Sequence, residues 1–92
     1  MKKYVKIYCD FFGYGEQDYI PCEIPNCKNS AEKPHHIIYK SQGGKDTIEN
    51  LIGLCRKHHN QGHFKEKPYL HREELQNIHN KFMQEYFVEH YI

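Results

Sequence analysis

No stretch of the chain stays apolar for long enough to cross a membrane, and no internal repeat or low-complexity segment breaks up its 92 residues. The opening MKKYVKIYCDFF carries Lys6 and Asp10 inside its only apolar run, so no secretory leader is expected there. A strong net charge is missing as well. Thirteen Lys and Arg stand against twelve Asp and Glu, and the resulting +1 gives no reason in itself to expect a nucleic-acid partner. Length is the other shortage: the chain is expected to form one domain, 1–92, and a chain of this size buries only about 60 to 65% of its unfolded surface. A structural metal is the usual remedy for so small a core. With no leader, a reducing cytoplasm is the expected compartment, and there four cysteines read as metal ligands in preference to two disulfides.

Residues 31–64, AEKPHHIIYKSQGGKDTIENLIGLCRKHHNQGHF, hold five of the eight histidines. His59 and His63 stand at i and i+4, which on a helix puts both rings on one face, as two metal ligands require. His35 and His36 are adjacent, and on an extended segment neighbours point to opposite sides. One of the pair can therefore join His59 and His63 on a metal while the other faces elsewhere as a free base, with the Asn50 amide suited to holding that ring. Three nitrogen ligands plus a free base describe a metal-assisted hydrolase. A second cluster is spaced as a zinc knuckle: Cys22-x4-Cys27 and Cys55-x2-His58 are two ligand pairs joined by a long connection. Cys9 is left over and reads as a small buried apolar residue.

The order HHI, GGKD, ENLIGLC and H-x3-H resembles the HNH endonucleases, whose ββα-metal fold is shared with the colicin nucleases. The resemblance implies an α+β fold with a core motif at 22–64, a zinc knuckle and flanking N- and C-terminal helices. It implies that His35 binds the catalytic ion, that His36 is the general base, that Asn50 orients it, and that His59 and His63 complete the metal site. Many HNH proteins carry a second cysteine where this chain has His58, so the implied structural zinc is held by Cys22, Cys27, Cys55 and His58. The implied activity is metal-dependent hydrolysis of DNA phosphodiester bonds, as a nick or a double-strand break, on duplex DNA. The catalytic ion is left open among Mg2+, Mn2+, Ni2+ and Zn2+, although three imidazoles by softness favour the transition metals over magnesium. Proteins of this kind and size resemble those of phages and of bacterial mobile or restriction systems, which points to a packaging or restriction partner.

Charge distribution is more informative than its total. Residues 26–67 hold eight Lys and Arg against four Asp and Glu, whereas the flanks hold five against eight. Lys40, Lys45, Arg56 and Lys57 are the expected contacts to a phosphate backbone. Around them the pattern predicts a helix over 1–12 and strands at 31–38 and 50–54. A metal-binding helix follows from 56 to about 65, and an amphipathic helix at 71–90 carries Leu75, Ile78, Phe82, Tyr86 and Phe87 along one side. Pro34 requires the first strand to lie at an edge or to begin late. Two other readings compete: a non-catalytic, zinc-stabilised DNA-binding module, and an interaction adaptor built on the C-terminal helix.

Overall fold

In the computed structural model, which describes residues 2–15 and 17–91, the aromatic stripe Tyr4, Tyr8, Phe11 and Phe12 winds the N-terminal segment into a helix, α1 (Lys3–Phe12). Met1, part of the expected helix, lies outside the described residues. α1 stops at Gly13, in the left-handed region at φ 72°, and the Tyr14 N–H closes the cap on the Cys9 carbonyl at 2.8 Å. Tyr8 and Phe12 are buried against Leu51, with Phe82, Met83 and Tyr86 packed around them. Cys9 is buried too.

The two strands are shorter than expected. β1 is His35–His36 and β2 is Leu51–Ile52, paired antiparallel with His35 opposite Ile52 and His36 opposite Leu51. Buried Pro34 has no N–H to donate, so β1 begins only after it. β2 begins late because Ile48–Asn50 is a 3-10 turn that delivers Asn50 to the mouth of the sheet. Single hydrogen bonds extend the contact at both ends, from Ile37 N–H to the Asn50 carbonyl (2.8 Å) and from Glu32 N–H to the Leu54 carbonyl (3.0 Å). Between the strands the chain turns through a short 3-10 segment, Lys40–Gln42, and closes tightly at Gly44. A Cβ on Gly44 would lie 1.7 Å from the Ile38 carbonyl oxygen, so only glycine fits.

α2 (Arg56–Gly62) follows directly on β2 and is three residues shorter than expected. Phe64 at φ 60° ends it, and the loop beyond returns to it through the Leu70 N–H, which bonds the Gln61 carbonyl at 3.0 Å. Gly62 faces Leu75, whose Cδ1 would be 3.4 Å from an added Cβ, an ordinary contact that does not by itself demand glycine. α3 (Arg72–Tyr91) lays Leu75 into a core formed with Cys22, Ile37, Ile52, Leu54 and Cys55, and Ile78 packs against it. Phe82 and Tyr86 cover the α1 side. Phe87, expected on the same side, is 51% exposed. No described helix is long and apolar enough to cross a membrane.

One polar network ties these parts together. Glu23 and His79 are buried side by side, with His79 Nδ1 at 2.7 Å from Glu23 Oε1 and His79 Nε2 donating to the Ile48 carbonyl at 2.6 Å. The other carboxylate oxygen accepts the Tyr8 hydroxyl (2.5 Å) and the Gly53 N–H (2.9 Å). Burial first, and then the Glu23 charge, raises the Tyr8 pKa well above the ordinary phenol value, so its hydroxyl stays a donor. Gly53 is required here: a Cβ would come within 2.7 Å of the Tyr8 hydroxyl. Every polar atom of this buried group is thus satisfied, the condition under which such networks hold a fold in one arrangement.

Candidate metal and catalytic site

Two clusters of ligand-type side chains flank α2. In the first, Cys22, Cys27, Cys55 and His58 bring one ligand atom each to within 4.8 Å of one another. Cys55 Sγ lies 3.2 Å from His58 Nδ1, Cys22 Sγ 3.5 Å from the same nitrogen, and Cys27 Sγ 3.9 Å from Cys55 Sγ. Four ligands at zinc bond lengths of about 2.0 to 2.3 Å stand roughly 3.3 to 3.8 Å apart at tetrahedral corners, so the donor set fits zinc. All three thiols are free of disulfides. Burial holds the Cys22 pKa up at about 12. Burial also acts against ionisation of Cys55, but hydrogen bonds from the His58 backbone and from Cys22, Cys27 and Asn29 outweigh it and bring that pKa below the ordinary value. Cys55 is the N-terminal flanking residue of α2, so the same residue that starts the helix sits among these ligands.

The second cluster lies at an open cleft of about 720 Å³ lined by His35, His36, Tyr39, His59, His63 and Arg72. His35 and His36 do face opposite ways on β1. His35 stacks on His59, ring centroids 3.7 Å apart, while His36 packs on the Tyr4 ring of α1 at 4.7 Å. His59 and His63 meet edge to face at 4.3 Å, as their i, i+4 spacing requires. His63 Nδ1 is engaged by the Tyr39 hydroxyl at 3.1 Å. Burial is the first cause holding these three rings neutral: it lowers the pKa of His59 and His63 and, with the neighbouring imidazoles, takes His35 down to about 3. Neutral rings keep the lone pairs that a metal needs.

Two residues without ligand spacing in the sequence also belong here. The carboxylate of Glu32 approaches His59 Nδ1 (3.3 Å) and His35 Nε2 (3.9 Å), and the Glu32, His35 and His59 ligand atoms all close to within 4.8 Å. Asp46 sits 2.7 Å from His36 Nε2. Its pKa is lowered, chiefly by the hydrogen bond from His36 and then by Lys40, so the carboxylate accepts and Nε2 carries the proton. The nitrogen of His36 that this pair does not use is Nδ1.

The Asn50 side chain makes no hydrogen bond to His36. Its buried amide accepts from Ile38 N–H (2.7 Å) and donates to the carbonyls of Ile38 and Lys45 (both 3.0 Å). The residue clamps the loop that delivers Asp46, and the expectation of an amide holding the His36 ring is corrected accordingly. Its three partners are all main-chain groups, which no side-chain spacing announces. The four basic residues lie at the surface. Lys40 pairs with Asp46 (3.2 Å), Arg56 with Glu32 (2.8 Å), and Lys45 and Lys57 are exposed.

These features define a small α+β domain with two antiparallel strands, a helix carrying metal-type ligands and a Cys3His cluster compatible with zinc. Residues 21–65, just under half of the chain, match the family model described as HNH endonuclease. The chain is also similar to the "Uncharacterized protein YdfU" of Escherichia coli (strain K12), 44% identical over 46 residues, which covers 47% of this chain and 13% of that protein. No solved structure matches.

Proposed function

We propose that the protein is a metal-dependent endonuclease that hydrolyses DNA phosphodiester bonds, with His36 as general base and with His35, His59 and His63 as the residues nearest a divalent ion. The observation that carries this reading is His36, on the wall of a cleft it shares with His35 and His59, with Asp46 2.7 Å from its Nε2. Holding Nε2–H on a carboxylate fixes one tautomer and frees Nδ1 to take a proton. In the reaction, His36 Nδ1 would accept a proton from water as the water oxygen bonds to phosphorus and the bond from phosphorus to the 3′ oxygen breaks, the departing oxygen taking a proton from solvent to become the hydroxyl. By family resemblance the products carry 5′-phosphate and 3′-hydroxyl ends. Asn50 supports this arrangement by fixing the loop on either side of the turn, at Ile38 and Lys45. A divalent ion, when bound, supplies charge stabilisation on the phosphate oxygens. Zinc on Cys22, Cys27, Cys55 and His58 would be structural: its four protein ligands leave no open position. Lys40, Lys45, Arg56 and Lys57 are proposed to meet the phosphate backbone.

Plasmid cleavage with added magnesium, manganese or nickel tests the reading through His36→Ala. Because His36 has no ligand role, the variant should keep fold, zinc and DNA affinity while the rate falls about 10² to 10⁴-fold, the usual contribution of a general base. Cleavage at the parent rate would remove His36 from that role. A parent that binds DNA tightly but is inactive with every one of these metals would instead be the non-catalytic zinc module.

A further inference from the structure

We infer that Glu32 is a direct, anionic ligand of the exchangeable ion in the cleft, so that this chain holds that ion on two imidazoles and a carboxylate. The inference rests on the metal-dependent reading above and departs from a three-histidine site. Two buried nitrogens, His35 Nε2 and His59 Nδ1, have no hydrogen-bond partner. Both face the same oxygen, Glu32 Oε1, at 3.9 and 3.3 Å, without hydrogen-bond geometry to it. Orphaned buried nitrogens are costly unless something fills the gap between them. A protonated His59 paired with Glu32 would satisfy only one of the two; a cation bound by all three atoms satisfies both.

The carboxylate is held in this orientation from two sides. Its own N–H bonds the Leu54 carbonyl (3.0 Å), fixing the main chain beside the start of α2, and its other oxygen, Oε2, takes the Arg56 guanidinium at 2.8 Å. Oε1 is left turned toward the imidazoles. Ligand atoms around an ion with bonds of about 2.0 to 2.2 Å lie roughly 3 to 3.5 Å apart, so the 3.3 Å contact already fits, while the 3.9 Å one must close and the stacked His35 and His59 rings must turn to aim both lone pairs at one ion. His63 stands outside the ligand atoms that close together, which are those of Glu32, His35 and His59. A carboxylate in the set makes the site harder, and that raises the standing of manganese and magnesium against nickel.

Pulsed EPR on the manganese-loaded, zinc-containing parent counts the coordinated imidazoles directly. Two coupled imidazole nitrogens are expected; three would overturn the assignment of Glu32. Manganese and nickel titrations of E32Q and E32D supply a second reading. E32Q should lose about tenfold or more in manganese affinity, given that even residues behind the ligands cost 10 to 100-fold, and should lose less in nickel affinity. E32D keeps the charge but shortens the reach, and should also bind manganese weakly. Parent-like manganese affinity in E32Q, or in E32D alone, would show that Glu32 is no ligand or acts only through its charge. A parent that takes up no exchangeable ion at all would bring down the metal-dependent function together with this inference, whereas failure of the Glu32 assignment alone leaves that function standing.

Discussion

The two clusters beside α2 use similar residue types to opposite ends. The Cys3His group is closed: three thiols and one imidazole, already 3.2 to 3.9 Å apart where they touch, drawn from the knuckle and from the first turn of the helix. The histidine cluster one turn further on is open, with buried nitrogens that lack partners and a cleft of about 720 Å³ in front of them. A site that satisfies its own atoms suits a structural ion, whereas one that leaves coordination free suits an ion that must also meet substrate. His58 and His59, adjacent in sequence, fall on different sides of that division.

The largest expected effect comes from breaking the closed cluster. Cys55→Ala removes a ligand, and since structural zinc can supply about 10 kcal/mol or more of apparent folding free energy, the variant should lose zinc and helical circular dichroism together. Retention of both would contradict a structural role. A smaller loss is expected where the scaffold holds the clusters in register without metal. Glu23→Ala strips partners from His79, Tyr8 and the Gly53 N–H at once, and should cost roughly 3 kcal/mol or more in denaturant unfolding while zinc is retained at one per chain. Unchanged stability would mean the network is dispensable. Smallest is the surface term: Lys40→Ala with Lys45→Ala should flatten the salt dependence of DNA binding by about one unit of log-log slope for each phosphate that the variant no longer neutralises. A slope already flat in the parent would point to another substrate.

How much of the molecule is legible in the sequence follows from how local each signal is. The zinc-type ligands are legible because Cys22-x4-Cys27 and Cys55-x2-His58 put each pair on one short segment, and the i, i+4 histidines because a helix fixes that relation. The opposite faces of His35 and His36 follow from strand geometry in the same way. Glu32 and Asp46 carry no such spacing; their roles arise from a strand extension and a loop closure that only the fold brings about. The strands come out shorter than the pattern suggests because hydrophobicity at 50–54 does not reveal that the first residue closes a 3-10 turn. His79 does leave a trace, four residues after Leu75 and three before Phe82, on the apolar face of α3. A polar residue placed there and fully buried needs a partner, and Glu23 is far away in sequence.

The division of labour between the clusters is tested most directly by stripping only the weaker ion. Gentle chelation followed by elemental analysis should leave one zinc per chain in a folded protein that does not cut plasmid, and added manganese should restore cleavage without changing the zinc content. Full cleavage by the one-zinc protein with no added metal, or unfolding when the exchangeable ion is removed, would contradict the account.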